Sequence, residues 1–412
     1  MNRSRLGLLT ELFWVSLKLG LTSFGGPAAH LGYFRDVYVR RRRWLDERDY
    51  AELVALCQLL PGPASSQVGI GIGTMRAGLW GGAVAWLGFT LPSAVALTLF
   101  ALVLQSGSLS TSGAGWIHGL KLVAVAVVAH AVLGMGLKLA AGRLRATVAV
   151  AAAAVSVLWA TPYTQVLLLV VAALGGLWYS RLMPAGGSDA HVGSGGNPVA
   201  DTGLKAGPFG SYSYSRTTAL AALGLFFVLL LGLPLLRSAF PSEGIALFDS
   251  FYRAGSLVFG GGHVVLPLLE DEVVRGGWMN HEQFLAGYGA VQAVPGPLFT
   301  FSAYLGAIAG GVSGALIATV AIFLPAYLLV IGTLPFWKRL QSTRSMQGAL
   351  TLVNAAVVGL LLAALYDPIW TSSVQAPKDF AIASLLFVAI AYWQVPSWIL
   401  VLAGAAVGAI WL

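Results

Sequence analysis

The sequence predicts an all-α protein that crosses a membrane several times and consists of two homologous repeats. Of its 412 residues, 57% are hydrophobic and only 10% are charged, and the mean hydropathy is +0.80. A soluble domain carries about 25% charged residues, whereas many segments here approach the ~20 apolar residues that span a bilayer. One order of sequence motifs also occurs twice. These observations exclude a soluble enzyme and a disordered chain.

The net charge of +8 would suggest a nucleic-acid partner in a soluble protein, but cytoplasmic loops of membrane proteins collect Lys and Arg. We therefore expect membrane lipid and no nucleic acid as a partner. Cys57 is the single cysteine, and neither a metal-ligand spacing nor a nucleotide-binding loop is present, so we expect no metal and no cofactor. Glu11 and Lys18 interrupt the first apolar run, which predicts a retained segment rather than a cleaved signal.

The first repeat is predicted over residues 1–180. Its first apolar stretch, residues 6–39, is broken at Phe24-Gly25-Gly26-Pro27, and a charged loop with Trp44 follows. A helix over residues 49–60 then ends at the break Pro61-Gly62-Pro63. Five further helices are predicted, at residues 64–75, 79–104, 116–137, 146–160 and 165–179.

The second repeat, predicted over residues 243–412, has the same motifs in the same order. Phe259-Gly260-Gly261-Gly262 follows Phe24 by 235 residues, and Pro295-Gly296-Pro297 follows Pro61 by 234 residues. Trp278 corresponds to Trp44. Its later helices are predicted at residues 312–333, 346–366, 380–393 and 396–412. Such an ordered recurrence indicates internal duplication.

Two segments between the repeats have no counterpart. Residues 181–217 are rich in Gly, Ser, Asp and Asn and predict a flexible cytoplasmic linker. Residues 218–237 predict one extra transmembrane helix.

The distribution of charge predicts the topology. If each broken segment enters the membrane and returns as a hairpin, the arginine run at residues 40–43 shares a face with most other loop cations. The extra helix then inverts the second repeat, whose acidic loop around Asp271 lies outside. The sequence therefore predicts an inverted repeat with re-entrant helices, a cytoplasmic N-terminus and a periplasmic C-terminus.

Lys18 and Arg253 are cations inside otherwise apolar stretches, each six residues before its Phe-Gly-Gly. Because a charge in lipid usually faces a cavity or a partner, both are candidates for binding an anion. Alternatively, they extend to the interface or pair with Glu11 and Asp249.

The glycine- and proline-rich breaks are the second set of candidates. Helices that restart after a break present backbone N–H groups and a positive dipole end to an oxyanion. Gln58 and Gln292 stand three residues before the Pro-Gly-Pro motifs and could donate hydrogen bonds, as could Ser65, Ser66, Thr300 and Ser302 after them. A purely structural kink is the alternative.

Three residues are candidates for proton binding. His30 and His263 follow the glycine breaks, and Glu52 has Ala286 as its counterpart in the second repeat. Packed polar histidines and an interfacial carboxylate near Arg48 are the alternatives.

A family resemblance is carried by Ser23-Phe24-Gly25-Gly26-Pro27, Trp44 and Gln58-Leu59-Leu60-Pro61-Gly62-Pro63, together with the second copy at Phe259-Gly260-Gly261-Gly262-His263, Trp278 and Gln292-Ala293-Val294-Pro295-Gly296-Pro297. These motifs resemble the chromate ion transporter family in its long, two-domain form. The resemblance implies a secondary transporter, not an enzyme, that exports chromate across the bacterial inner membrane and confers chromate resistance.

The resemblance also implies confusion of chromate with sulfate, which has the same shape and charge, and use of the proton-motive force. We expect the anion to bind between repeats that rock against each other. A carrier of sulfate or another oxyanion remains an alternative, as does a membrane enzyme or scaffold. Assembly into a homo-oligomer stays open.

Overall fold

The computed structural model describes residues 5–24, 26–106, 114–159, 164–182, 214–259, 265–337 and 344–411, and these form helices and connecting turns without a strand. The helices are α1 (Arg5–Thr22), α2 (Gly26–Phe34), α3 (Glu47–Leu59), α4 (Ala64–Gln105), α5 (Ala114–Leu139), α6 (Arg143–Leu158), α7 (Thr164–Leu182), α8 (Arg216–Ala239), α9 (Glu243–Leu257), α10 (Val265–Arg275), α11 (His281–Val291), α12 (Phe301–Thr333), α13 (Arg344–Ala364), α14 (Pro377–Ala391) and α15 (Ser397–Trp411).

The order of helices confirms the all-α membrane fold and fits the predicted repeat. Helices α1–α7 correspond to α9–α15, and α8 is the extra helix. Within the described residues, five helical segments are long and apolar enough to cross a membrane. Residues 183–213, most of the predicted linker, lie outside the described residues.

Helices α4 and α12 each fold back on themselves. Gly78 has φ 70° in α4, and Gly311 has φ 62° in α12. A Cβ atom on Gly73 would collide with the carbonyl of Gly81, and one on Gly306 with the carbonyl of Gly314. Each helix therefore consists of a short arm packed against a long arm, residues 79–105 in α4 and 312–333 in α12.

The chain also turns back at the Phe-Gly-Gly and Pro-Gly-Pro breaks. Glu11 in α1 accepts hydrogen bonds from Arg42 at 2.7 Å and Arg76 at 3.3 Å, and the Arg76 guanidinium lies 4.0 Å from the centre of the Trp44 ring. An uninterrupted helix would separate Glu11 from Arg42 by about 46 Å at ~1.5 Å per residue. In the first repeat the chain therefore reverses direction, as the predicted hairpins require.

The long arms of α4 and α12 run in opposite directions. Gln105, at the end of the first arm, donates to the Ile308 carbonyl beside the turn that begins the second arm, at 2.8 Å. The Tyr327 hydroxyl, deep in the second arm, donates to the Leu79 carbonyl at the start of the first, also at 2.8 Å. An inverted repeat requires this antiparallel arrangement.

The repeats exchange helices. Helix α5 packs on α14 and α15 of the second repeat, and α13 packs on α6 and α7 of the first. A Cβ atom on Gly119 would collide with the Gly404 carbonyl, and one on Gly176 with the Gly348 carbonyl. Because of this exchange, a whole repeat is not a separate rigid body, and the predicted rocking of one repeat against the other needs moving parts drawn from both.

Candidate functional site

The breaks of the two repeats are joined by a pair of crossed hydrogen bonds. The Gly62 N–H, in the first Pro-Gly-Pro, donates to the carbonyl of Val258 at 2.6 Å, and the Gly296 N–H, in the second, donates to the carbonyl of Ser23 at 2.9 Å. Ser23 and Val258 each precede the phenylalanine of a Phe-Gly-Gly motif. The broken segments of each repeat are therefore hydrogen-bonded to those of the other. We call the region around Ser23, Gly62, Val258 and Gly296 the crossing.

Glycine is required at both donor positions. Gly62 and Gly296 have φ values of +114° and +104°, a region that side chains disfavour. A Cβ atom on Gly296 would lie 2.9 Å from Ser93 Oγ, and one on Gly62 would lie 3.3 Å from Ala326 Cβ. The glycine of each Pro-Gly-Pro motif therefore permits a close backbone approach between the repeats.

His30 connects the two halves of the crossing. Its Nδ1 lies 3.3 Å from the Ser65 hydroxyl, just after the first Pro-Gly-Pro. Its ring meets Phe89 edge-on at 5.5 Å, and the Phe89 carbonyl lies beside Gly296. His30 is 1% exposed, so its buried ring lies beside the first Pro-Gly-Pro break and contacts the residue that borders the second.

Buried polar side chains with an unpartnered atom surround the crossing. Those near the breaks, within the described part of the chain, include Ser23 Oγ, His30 Nε2, Ser66 Oγ, Gln67 Oε1, Thr90 Oγ1, Gln292 Nε2 and Ser302 Oγ. An unpartnered buried polar atom costs about 1–3 kcal/mol. Atoms of this kind also occur elsewhere in the described chain, and those near the breaks make the crossing a candidate site for hydrogen bonds to a guest.

Helix ends add positive potential there. Helix α4 begins at Ala64, directly after Pro63, and a short 3-10 turn, Leu298–Thr300, begins after Pro297 and leads into α12. The first N–H groups of a helix lack intrahelical acceptors and carry the positive end of its dipole. Such helix ends attract an anion although they carry no charged side chain.

The structure places the two predicted membrane cations in different surroundings. Lys18 is exposed on α1, one turn before the crossing. Arg253 is partly buried and bonds Asp249 through Nε and Nη2, both at 3.1 Å, and Glu272 through Nη2 at 3.3 Å. Arg253 therefore has the partner that the alternative interpretation named, whereas Glu11 binds Arg42 and Arg76.

The other predicted residues are also distributed unequally. Gln292 is buried, whereas Gln58 is exposed. The Phe24 ring packs toward Trp398 at 6.5 Å, and Phe259 lies partly buried at the end of α9.

Glu52 lies at the surface end of α3 and accepts from Arg48 at 3.2 Å, as the alternative interpretation expected. Gly26 begins α2 with φ +79°. Gly25, Gly260, Gly261 and His263 lie outside the described residues.

Sequence reasoning missed Gln67, Thr90 and the hydroxyl of Ser23, which carry unpartnered buried atoms near the breaks. Each is a polar residue in an apolar stretch within a few positions of a break or of Pro92. That proximity is the signal that could have identified them. It also missed Arg237 of α8, because its partners Asp249 and Ser250 lie in α9.

Comparisons with known proteins agree with this architecture. The chromate transporter family profile matches residues 10–177 and 245–409. The chain is similar to a chromate transport protein of Pseudomonas aeruginosa, with 28% identity over 89% of this chain and 83% of that protein. It is similar to a probable chromate transport protein of Synechococcus elongatus, with 30% identity over 86% of this chain and 82% of that protein.

A chromate transport protein of Cupriavidus metallidurans is 27% identical over 93% of this chain and 87% of that protein. No solved structure matches significantly. The profile covers both repeats and leaves out residues 178–244, which contain the whole linker and α8. The duplicated breaks, the multi-pass helical fold and these matches together show that this chain belongs to the chromate transporter family.

Proposed function

We propose that this protein exports chromate from the bacterial cytoplasm across the inner membrane as a secondary transporter, and so confers chromate resistance. The single observation that carries the proposal is the pair of crossed hydrogen bonds that brings the breaks of both repeats together. Chromate transport proteins of similar length and sequence support the substrate.

The crossing suits a tetrahedral dianion. Ser and Thr hydroxyls and the Gln292 amide can donate hydrogen bonds in several directions, and the helix starts after Pro63 and Pro297 contribute dipole ends. Backbone interrupted at membrane depth is tolerated where it is buried in protein or lines a cavity. We propose that the Phe-Gly-Gly and Pro-Gly-Pro motifs, including the glycines outside the described residues, form the substrate site.

Charge supports a cytoplasmic N-terminus and a periplasmic C-terminus. The cluster of Arg42 and Arg76 around Glu11 marks one end of the molecule, and cationic loops favour the cytoplasm. Because the long arms are antiparallel, the acidic end of α10 with Asp271 and Glu272 then faces the periplasm.

Export of an anion is energetically favourable without a coupled proton. An inside-negative potential drives an anion outward with about 2.3 kcal/mol per charge per 100 mV. His30, His263 and Glu52 are therefore proposed only as auxiliary proton-linked groups.

Sulfate is the second candidate substrate, because it has the geometry and charge of chromate and would meet the same donors. The test is chromate accumulation in cells with and without the protein, repeated with excess sulfate. Lower chromate in cells that express the protein supports export, and equal or higher accumulation contradicts it. If excess sulfate abolishes the difference, both anions use one site.

A further inference from the structure

The extra helix α8 brings a cation into the second repeat that the first repeat lacks. Arg237, in the last turn of α8, donates through Nη1 to Asp249 Oδ2 at 3.3 Å and to the Ser250 hydroxyl at 3.2 Å. The residue of α1 that corresponds to Asp249 is Trp14, 235 positions earlier. The first repeat therefore has no counterpart of the Arg237 cation or of the Asp249 carboxylate.

Arg237, Arg253, Asp249 and Glu272 form one electrically neutral network. Asp249 Oδ2 accepts from both arginines, and Glu272 lies 3.2 Å from Arg253 and 4.0 Å from Arg237. The Asp249 side chain is 1% exposed, whereas Arg253 is 31% exposed and Arg237 38%. Leaving a buried carboxylate without a cation is strongly destabilising. Asp249 therefore needs at least one of the two arginines at all times.

A cavity of about 240 Å³ adjoins this network. Its lining includes three arginines, Arg237, Arg253 and Arg275, two carboxylates, Asp271 and Glu272, and Leu257 of α9. Leu257 precedes Val258, whose carbonyl accepts the Gly62 N–H at the crossing. The cavity therefore extends from the arginines to within one residue of the crossing, with room for a tetrahedral anion and several waters at ~30 Å³ per water.

We propose that this cavity is a second anion station, on the route between the crossing and the end of the molecule that carries Glu272. This inference rests on the proposed function. At the station the Arg253 guanidinium turns from Asp249 to contact the oxyanion. Arg237 of α8 keeps Asp249 neutralised while Arg253 is engaged.

The two arginines thus have different roles. Arg253 contacts the substrate, and Arg237 is a positioning residue that acts through Asp249. The network is neutral with both arginines present, so an entering dianion meets no net negative charge. Removing either arginine leaves a net charge of −1, which repels the anion and holds the remaining guanidinium on the carboxylates.

Substitution of one arginine at a time tests this effect on chromate flux. Arg237→Gln and Arg253→Gln are each expected to lower chromate flux by about tenfold or more in proteoliposomes that contain the full chain, as for removal of one partner from a desolvated charge pair. Arg237→Lys keeps the charge and is expected to retain most of the flux.

Two double variants with the same net charge separate the roles. Arg237→Gln with Asp249→Asn removes both the cation and the charge it neutralises, so flux is expected to recover to within a few-fold of wild type. Arg253→Gln with Asp249→Asn also restores neutrality but lacks the contacting guanidinium, so its flux is expected to stay low. Monodisperse elution in detergent serves as the folding control for each variant.

Recovery of both doubles would overturn the contact role of Arg253, because net charge alone would then explain the effect. Failure of the folded Arg237→Gln/Asp249→Asn variant to recover would overturn the compensating role of Arg237, as would wild-type flux in Arg237→Gln alone. If wild-type protein itself moves no chromate, the proposed function fails instead. The two failures are therefore distinguishable.

Discussion

At the scale of single residues, the crossing depends on two glycines that play equivalent parts. Gly62 and Gly296 each donate a main-chain hydrogen bond to the opposite repeat from a left-handed conformation. The duplication of Pro-Gly-Pro could be seen in the sequence. The exchange of bonds could not, because nothing in one motif specifies which Phe-Gly-Gly carbonyl its N–H will meet.

The first prediction concerns Gly296. Replacement by Ala places a methyl group 2.9 Å from Ser93 Oγ in a disfavoured backbone conformation that costs on the order of 1–3 kcal/mol. We expect chromate flux in proteoliposomes to fall to near background. Gly32→Ala in α2 is the matched control, since its Cβ would meet nothing within 4 Å, and it is expected to keep wild-type flux. Equal flux in both variants would count against the crossing.

Lys18 and Arg253 provide a second test. Sequence register pairs them, but Lys18 is exposed and Arg253 faces the cavity beside the crossing. We expect Lys18→Gln to reduce chromate flux much less than Arg253→Gln. A larger loss in Lys18→Gln would instead support the symmetric pair that the sequence predicts.

The contact between His281 and Glu270 predicts a pH dependence of stability. His281 Nδ1 lies 2.8 Å from Glu270 Oε1, and this hydrogen bond raises the pKa of His281, while burial raises the pKa of Glu270. Raised folded-state pKa values give stability that is present at low pH and is lost as pH rises through them.

We therefore expect the wild-type melting temperature in detergent to fall as pH rises above the ordinary histidine pKa of about 6.5, and His281→Gln to show a smaller fall. His281 is half exposed, so the difference is at most about 1 kcal/mol. Parallel pH profiles would show that the contact contributes nothing.

At the scale of helices, the sequence predicts where most helices begin and end. It does not predict which helices pack against each other. The turn at Gly78 separates the predicted helices at residues 64–75 and 79–104, and hydropathy alone locates α8. Helix α5 is equally apolar on most sides, so its sequence does not indicate that it packs on α14 and α15. Small residues permit that exchange, because Gly119 and Gly404 let two backbones touch.

Gly119→Ala tests the exchange. The added methyl group would collide with the Gly404 carbonyl, and overpacking of this kind costs about 1–3 kcal/mol. We expect a lower melting temperature in detergent. Gly134→Ala on the same helix meets nothing within 4 Å and should leave the melting temperature unchanged or slightly higher. A Gly119→Ala protein as stable as Gly134→Ala would contradict the α5–α15 contact.

At the scale of the whole molecule, the long arms of the two repeats are antiparallel and the repeats exchange helices, an arrangement that fits the predicted inverted symmetry. The sequence predicts inversion from charge, and the contacts of Gln105 and Tyr327 give it a geometric basis. The arginine network around Asp249 departs from the symmetry, because α8 and its Arg237 occur once.

Orientation is tested by cysteine accessibility. Arg41 and Glu282 have side chains that are each 73% exposed, and the native Cys57 is buried. Single cysteines at positions 41 and 282 are expected to react with a membrane-impermeant reagent from opposite sides, position 282 in intact spheroplasts and position 41 only in everted vesicles. Labelling of both from one side would contradict the inverted topology.

If the crossing binds the anion, as proposed, loss of its hydroxyls must reduce chromate flux in proteoliposomes. The decisive comparison is wild type against a variant in which Ser23, Ser66 and Ser302 are all replaced by Ala. These substitutions remove three buried hydroxyls that lack partners within the described residues. We predict that wild type moves chromate and that the folded variant loses at least about nine-tenths of that flux. Wild-type flux in the folded variant would show that these hydroxyls do not bind the anion.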